Sequence, residues 1–252
     1  MLKVGIIGLG GIARSHCDSI AHLDKVQVVA VADLFEEKRQ EYMDKYDIRE
    51  FRQWHVDAAI RAQTAGFDVV YIYAGMNFGP YQFLLPWLNK RTDEYGGSLV
   101  NRVRLMREII EDMQEAVGRT CAVALRFSTD ELLQVQSKEF DSEAHEIIST
   151  LSEVPDLWDV KAASWTVEAS SARFTEQGAR EPFTNFVKPL TSRPVVSTGR
   201  FTSPDEMVSQ IKRGIIDLIG AARPSIADPF LPKKIDEGRE DEIRECIGCN
   251  IC

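Results

Sequence analysis

Three cysteines close to the end of the sequence have the spacing of a metal-binding motif. Cys246, Cys249 and Cys252 form a C-x-x-C-x-x-C run, whereas Cys17 and Cys121 stand alone. In a cytosolic chain, thiols at this spacing indicate a metal ion or a cluster in preference to disulfides. Such thiolates can fold around one face of an iron–sulfur cluster, which normally takes four ligands. Zinc with a bound water, or a reduced tail without metal, are the alternatives.

A glycine-rich turn near the start of the sequence has the pattern of a dinucleotide site. Gly8, Gly10 and Ala13 match G-x-G-x-x-G/A directly after a Val- and Ile-rich segment. Glycines at these positions let the backbone approach a pyrophosphate at the start of a helix. Asp33 ends the next apolar segment, where a carboxylate can accept both ribose hydroxyls of NAD. The alternative is a βαβ scaffold that keeps this fingerprint and binds dinucleotide weakly or not at all.

Polar residues also follow several apolar segments in the rest of the chain. Arg126 lies near the end of one segment, Gly199 and Arg200 follow another, and Ala222 and Arg223 follow a third. In parallel α/β folds the carboxyl ends of strands bind the ligands, and backbone N–H groups with a cation hold phosphates there. A buried arginine on a strand needs an anion, which a ligand or an internal salt bridge could supply.

Apolar and amphipathic segments alternate along the chain, which predicts an α/β fold with a parallel sheet. We predict about seven strands in a partial TIM-barrel-like or strongly curved sheet, two before residue 48 and five after it. The predicted strands are Lys3–Gly8, Val26–Leu34, Val69–Tyr73, Ala122–Phe127, Leu157–Ala162, Pro194–Thr198 and Asp217–Ala221. The predicted helices are Gly11–Leu23, Phe35–Tyr46, Asp57–Ala65, Leu99–Val117, Glu143–Leu151, Phe183–Leu190 and Pro204–Arg213.

The pattern of elements changes near residue 48 without a Pro-, Gly- or Ser-rich linker. We predict a Rossmann-type βαβα unit over residues 1–48 and a barrel portion over 49–252. Two βα units could replace the first barrel strands, because both supply parallel strands with right-handed crossovers. Separate half-domains are the alternative.

Composition limits the classes of partner. Of the 252 residues, 44% are apolar and 27% charged, as in soluble globular proteins. A net charge of −9 and a pI near 5.1 disfavour nucleic acid and anionic membranes as partners. No apolar run approaches the roughly 20 residues that span a bilayer, and the start lacks a signal-peptide layout. We expect a cytoplasmic protein with a small-molecule substrate. A homo-oligomeric state is compatible with the sequence.

Two resemblances add to this reading. Residues 4–16 resemble the start of the glucose–fructose oxidoreductase and inositol dehydrogenase family, over about residues 1–48, although that family's Glu-Lys-Pro motif is missing. The segment NKRTDEYGGSLVNR, residues 89–102, resembles the loop and helix after the fourth barrel strand of the old yellow enzyme superfamily. The stretches GFDVVYIY (66–73) and ARPSIADPF (222–230) are similar to its trimethylamine and dimethylamine dehydrogenase branch.

The second resemblance implies FMN as cofactor. It places Arg126 beside the flavin pyrimidine and the FMN phosphate at the residues that follow the last two strands. Those residues are Gly199, Arg200, Ala222 and Arg223. The cysteine run matches the family's [4Fe–4S] motif, whose fourth cysteine comes after the last residue of this sequence, so the ligand set is incomplete here.

The same resemblance implies the catalytic positions. Tyr73, Met76 and Glu168 stand where the family has a tyrosine, a histidine and an aspartate. Methionine cannot transfer a proton, so the family's proton relay does not carry over intact. Trp165 matches an aromatic residue that holds a methylated cation by cation–π attraction, an ordinary core tryptophan being the alternative.

Three functions follow. The first is an FMN- and iron–sulfur-dependent oxidoreductase that acts on small N-methylated amines. The second is an NAD(P)-dependent dehydrogenase of the glucose–fructose oxidoreductase type. The third is a non-catalytic chimera or fragment that keeps both fingerprints, whether designed, natural or the product of a faulty assembly.

Overall fold

The computed structural model describes residues 2–7, 26–32, 48–75, 79–129, 138–162 and 173–251. Its strands are β1 Leu2–Ile7, β2 Val26–Ala32, β3 Val69–Ala74, β4 Ala122–Ser128, β5 Leu157–Lys161, β6 Val195–Thr198 and β7 Leu218–Gly220. Its α-helices are α1 Ile48–Thr64, α2 Pro80–Leu84, α3 Leu99–Val117, α4 Lys138–Leu151, α5 Glu181–Thr184, α6 Pro204–Lys212, α7 Arg223–Ala227 and α8 Leu231–Asp236. Short 3₁₀ turns span Gly118–Thr120, Lys188–Leu190 and Glu240–Glu242.

The chain divides into two compact units, Met1–His55 and Val56–Cys252, with the border inside α1. In the first unit β1 and β2 form a parallel pair whose register shifts between Val4 and Gly5. A parallel pair needs a crossover connection, which the predicted helix 11–23 would supply. That helix and the one predicted over 35–46 lie outside the described residues, so the Rossmann-type unit stays a prediction.

The second unit holds a five-stranded parallel sheet with the strand order β3-β4-β5-β6-β7. Each strand bonds to its predecessor along the chain, as in a (β/α) barrel. This differs from the predicted single sheet of seven strands, because β1 and β2 bond to each other in a sheet of their own. The alternation of strands and helices predicts parallel strands, but it does not show which strands bond to one another.

One face of the five-stranded sheet packs under helices. Phe127 of β4 meets the ring of Tyr81 from α2 at 5.6 Å and that of Trp158 from β5 at 5.9 Å. The indole nitrogen of Trp158 donates to the carbonyl oxygen of Ser152, just after α4, at 2.9 Å. All three aromatic side chains are buried, so this helix-covered face forms the core.

The opposite face, which we call the open face, carries the alternate residues of each strand. Its central row is Tyr73, Arg126, Asp159, Val196 and Leu218, which lie side by side in the register of the five strands. Leu218 is 47% exposed, and Tyr71, one step back along β3, is 51% exposed. Large apolar side chains with this much exposure are uncommon on the sheet of a monomeric soluble protein.

Local sequence explains the best-defined helix. The side chain of Ser98 accepts a hydrogen bond from the Asn101 N–H at the start of α3, and Gly118 follows its last residue with a φ of 59°. Between these caps, apolar residues recur every three or four positions and are buried against the sheet and α4. The predicted helix Leu99–Val117 is confirmed at both ends.

Three predicted helices differ from those observed, one of them only in that the helix expected over Glu143–Leu151 begins at Lys138. The helix expected over Asp57–Ala65 begins at Ile48, because the residues between contain no Gly or Pro to stop it. The helix expected over Phe183–Leu190 is interrupted, with α5 ending at Thr184 and a 3₁₀ turn following. Pro189 has no N–H for an α-helical bond and disfavours helical geometry in the residue before it.

Candidate functional site

The central row of the open face contains an ion pair. The Arg126 guanidinium Nη1 lies 2.6 Å from the Asp159 Oδ2 on the next strand. Asp159 is buried, whereas 29% of the Arg126 side chain is exposed. Arg126 thus forms the internal salt bridge, which was one of the two interactions expected for it. Part of its side chain is exposed on the open face. The same pair acts on Tyr71, whose pKa is raised by burial and then by Asp159, against the opposing effect of Arg126.

The next row, at the carboxyl ends of the strands, contains a buried lysine. Lys161 ends β5 and is 1% exposed, and its register partner on β4 is Ser128. Its Nζ lies 5.9 Å from the centre of the Tyr73 ring on β3, within the range of a cation–π contact. The lysine side chain therefore extends over β4 and places its charge beside the predicted catalytic tyrosine.

Gly75 leaves the space through which this side chain passes. A Cβ at position 75 would lie 2.9 Å from the Cβ of Ser128 and 3.2 Å from the Cε of Lys161. The backbone N–H of Thr129 donates to the Lys161 carbonyl oxygen at 3.0 Å, which fixes the end of β5 against β4. Strand pairing and a missing side chain together set the position of the ammonium group.

The loop after β6 contains a half-buried cation, Arg200. Arg200 has a left-handed backbone with a φ of 55°, an unusual conformation for a residue with a side chain. Its Nη1 donates to the Thr175 carbonyl oxygen at 2.5 Å, and its buried Nε has no hydrogen-bond partner in the described part of the chain. A Cβ at Gly199 would lie 2.5 Å from the Phe201 ring, so only glycine fits beside this turn.

The loop after β7 meets the cysteine segment. Arg223 begins α7, directly after Ala222, and its Nη1 donates to the Asn250 Oδ1 at 2.5 Å. Asn250 and Gly248, on either side of Cys249, both have a positive φ. The predicted phosphate loop and the cysteine segment are thus in direct contact.

The two described cysteines of the run are free thiols. Cys246 is half-buried and Cys249 is exposed. The Gly248 carbonyl oxygen accepts a hydrogen bond from the Arg173 N–H at 2.9 Å, which holds the segment against the chain before α5. Among the residues that the structure covers, no group of three His, Cys, Asp or Glu side chains has the arrangement of a metal site. Cys252 lies outside that part.

Several predicted site residues fall outside the described residues, and their roles stay predictions. They are Gly8, Gly10, Ala13, Asp33, Met76, Trp165, Glu168 and Cys252. Tyr73 and Arg126 lie in one row of the sheet. Arg200 lies in the loop after β6, and Arg223 follows β7 at the start of α7.

Asp159 and Lys161 were not predicted as site residues from the sequence. Both lie in the segment LWDVK, where two charged residues are separated by one apolar residue at the end of a strand. Residues two apart on a strand share a face, so this spacing was the available signal. It was hidden because β5 otherwise looks like an apolar strand buried on both sides.

The described helices include none that is both long and apolar enough to cross a membrane.

The consecutive parallel strands, with charged residues at their carboxyl ends, define a TIM-barrel-like α/β protein. A family model described as the NADH:flavin oxidoreductase / NADH oxidase family matches residues 4–242. The chain belongs to this FMN-dependent family.

Amine dehydrogenases are among its close relatives. Dimethylamine dehydrogenase of Hyphomicrobium sp. (strain x) is 44% identical over 209 residues, 82% of this chain and 28% of the relative. Two solved structures have a TM-score of 0.75. The 6-hydroxypseudooxynicotine amine oxidase HisD of Pseudomonas geniculata N1 is 52% identical over 88% of this chain and 32% of its own. Histamine dehydrogenase of Rhizobium sp. 4-9 is 46% identical over 91% and 32%.

The chain thus spans about a third of the length of these relatives. The family match begins at residue 4 and includes most of the first unit. The resemblance of residues 1–48 to the glucose–fructose oxidoreductase family stays a prediction.

Proposed function

We propose that the chain carries half of the FMN site of an amine-oxidising flavoenzyme. The observation that carries the proposal is the buried Arg200 Nε without a hydrogen-bond partner among the described residues, in the loop after β6. A buried charged donor is costly unless an anion meets it. The FMN phosphate is such an anion, and Gly199, Ala222 and Arg223 would supply backbone and cationic contacts around it.

Arg126 would lie beside the flavin pyrimidine. Its guanidinium is held by Asp159 and part of its surface is exposed on the open face, so it is positioned to meet a second partner. A guanidinium fixed in this way stabilises negative charge on a neighbouring ring. When bound, FMN supplies the two-electron acceptor for oxidation of the amine.

The substrate would be a small N-methylated amine next to Tyr73, with Trp165 and Glu168 completing the pocket. Support for an N-methylated amine comes from the relative named a dimethylamine dehydrogenase, and the histamine dehydrogenase supports an amine more generally. Tyr73 lies at the carboxyl end of its strand, where barrels of this class bind their substrates.

Cys246, Cys249 and Cys252 would supply thiolates to a [4Fe–4S] cluster. The described residues contribute two free thiols of this set. The contact between Arg223 and Asn250 supports a functional link, because it joins the proposed phosphate loop to the cysteine segment. A cluster that receives electrons from a flavin needs to lie close to the flavin site.

The test is titration of the purified chain with FMN and with riboflavin, which differs from FMN by the phosphate alone. We expect FMN to bind at micromolar concentrations and at least about tenfold tighter than riboflavin, since a charge-assisted contact contributes roughly 1.5–3 kcal/mol. Arg200→Gln should remove this preference. The exposed Arg119→Gln serves as the matched control and should keep it. No saturable FMN binding, or an unchanged preference in Arg200→Gln, would contradict the proposal.

A second candidate function concerns the first unit. The parallel pairing of β1 with β2 is the arrangement that a dinucleotide-binding βαβ unit requires, and it supports NAD binding at Gly8, Gly10, Ala13 and Asp33. NADH fluorescence should then change on titration with the chain, and Asp33→Ala should abolish the change. If the wild-type chain leaves the NADH fluorescence unchanged, the proposal that the first unit binds NAD is wrong.

A further inference from the structure

We infer that Gln177 is a positioning residue of the FMN site, because its side-chain amide holds the loop after β6 in the conformation in which Arg200 meets the phosphate. The inference rests on the proposed function, in which Arg200 binds that phosphate. It adds a residue that lies 25 positions before Thr202 in the sequence and acts through the shape of the loop.

The amide of Gln177 contacts the loop through both of its polar atoms. Its Oε1 accepts hydrogen bonds from the N–H groups of Thr202 at 2.6 Å and Ser203 at 3.0 Å. Its Nε2 donates to the Ser203 Oγ at 3.2 Å. Two backbone N–H groups need an acceptor, which the amide offers only on its oxygen, so these contacts fix its orientation. Thr202 is buried, and a buried N–H that loses its acceptor is costly.

Two further hydrogen bonds join the same two segments of the chain. The Gly178 N–H donates to the Gly199 carbonyl oxygen at 2.8 Å. The Arg200 Nη1 donates to the Thr175 carbonyl oxygen at 2.5 Å. Residues 175–178, which we call the brace, thus contact the loop before, at and after Arg200.

The brace explains how Arg200 keeps a conformation that is unusual for its residue type. Its φ of 55° is left-handed, and such a conformation persists only where the surrounding contacts enforce it. The contacts of the brace with Gly199 and Thr202 fix the backbone on both sides of Arg200. Without the Gln177 amide the loop can relax to an ordinary φ, which moves the guanidinium and its buried Nε.

The alternative is that Gln177 only caps a helix. The Thr202 and Ser203 N–H groups come just before Pro204, the first residue of α6, and Ser203 makes no side-chain cap of its own. A capping role stabilises α6 without favouring a ligand, so its loss would weaken FMN and riboflavin equally. A positioning role acts on the phosphate, so its loss lowers the preference for FMN over riboflavin.

The experiment measures the dissociation constants of FMN and riboflavin for the full chain. Gln177→Met keeps the length of the side chain and removes both polar atoms. We expect it to lower the preference for FMN at least about threefold, because Arg200 keeps its charge and loses its pre-organisation.

Gln114→Met is the matched control. Gln114 is also half-buried, and its Nε2 donates to a backbone carbonyl oxygen, that of Val154, at 2.9 Å. It lies on α3 and has no contact with the brace among the described hydrogen bonds, so its loss should leave the preference for FMN unchanged.

A double-mutant cycle tests whether Gln177 acts through Arg200. In the Arg200→Gln background, Gln177→Met should leave the preference unchanged, since the group that it positions is absent. The phosphorus NMR signal of bound FMN gives a second readout, because it reports the surroundings of the phosphate. In Gln177→Met this signal should move from its wild-type position towards that in Arg200→Gln, and in Gln114→Met it should stay.

The outcomes separate the inference from the proposed function. If Arg200→Gln loses the preference for FMN and Gln177→Met keeps it, the inference alone is overturned. Equal weakening of the two flavins in Gln177→Met also overturns it, as does a further loss of preference on adding Gln177→Met to Arg200→Gln. Absence of saturable FMN binding, or an unchanged preference in Arg200→Gln, counts against the proposed function.

Circular dichroism checks that each variant is folded. If Gln177→Met is unfolded, Gln177→Asn takes its place, because its amide is one methylene shorter and is withdrawn from both N–H groups. Unfolding of both variants would assign Gln177 to stability and overturn the inference.

Discussion

At the scale of single residues, the Arg126–Asp159 ion pair combines burial with charge. Replacing Asp159 by Asn keeps the shape but leaves the guanidinium without its carboxylate. We expect Asp159→Asn to lower the free energy of unfolding by about 1–3 kcal/mol, because a largely buried charge loses its partner. Urea unfolding of the full chain measures the change.

An exposed pair on α3 gives the matched control. Arg107 and Glu111 lie four residues apart with 3.7 Å between their charged atoms. Glu111→Gln should change the free energy of unfolding by no more than about 0.5 kcal/mol. Equal effects of the two substitutions would mean that the Arg126–Asp159 pair is as weak as a surface pair.

The residues of the site were predictable to different degrees. Arg126 and Arg200 were found because an arginine next to a predicted strand end is unusual. Lys161 and Asp159 were missed, since their meaning depends on the register that places them beside Tyr73 and Arg126. Register is a property of the strand pairs and not of one segment.

Asp228 should stabilise the fold near neutral pH and make its stability fall in acid. Lys234 lies 2.7 Å from its carboxylate and the Arg244 N–H donates to it at 3.0 Å, and these contacts lower its pKa from 3.8 to about 2. A carboxyl whose pKa is lowered on folding stabilises the fold above its unfolded pKa. That stability is lost as the pH falls from about 4 through 2.

The expected result is that Asp228→Asn destabilises the chain at pH 6 and has progressively less effect as the pH falls towards 2. Thermal unfolding over this pH range measures it. Asp236→Asn, an exposed carboxyl on α8, is the control and should have little effect at any pH. An effect of Asp228→Asn that is independent of pH would contradict the assignment.

At the scale of elements, α3 offers a same-helix comparison. Val103 is 1% exposed and Val100 is 66% exposed, so Val→Ala removes the same atoms from two different surroundings. We expect Val103→Ala to cost about 2 kcal/mol through lost burial and a small cavity. Val100→Ala should stay within about 0.5 kcal/mol, and urea unfolding distinguishes the two. Similar losses would mean that α3 is not packed on the sheet as described.

Elements with strong local signals were predicted well. The caps at Ser98 and Gly118 fix α3, and the apolar segments fix β3 to β7 to within one or two residues. The break at Pro189 could have been predicted from the missing N–H, but the periodic apolar residues around it outweighed that signal. The short helices α2, α7 and α8 have too few residues to show a period.

At the scale of the whole molecule, the open face leaves apolar side chains exposed. Tyr71 and Leu218 lie on this face, and we expect it to bind the dye ANS. Leu218→Lys should reduce the dye fluorescence at least about twofold without loss of stability, because an exposed side chain adds little to the fold.

The control is a substitution of an exposed apolar residue outside the sheet. Phe174 is 92% exposed, and Phe174→Lys should leave most of the ANS fluorescence in place. If Phe174→Lys removes the signal and Leu218→Lys does not, the dye site lies elsewhere.

The order of the five strands has a consequence for inheritance. Each strand from β3 to β7 bonds to the one before it, so the sheet is assembled from neighbouring segments of the chain. A gene segment that encodes these βα repeats can be duplicated, moved or joined to another without rewiring any hydrogen-bonded pair inside it. All strands of this sheet are thus encoded by one contiguous gene segment, bounded by the edge strands β3 and β7.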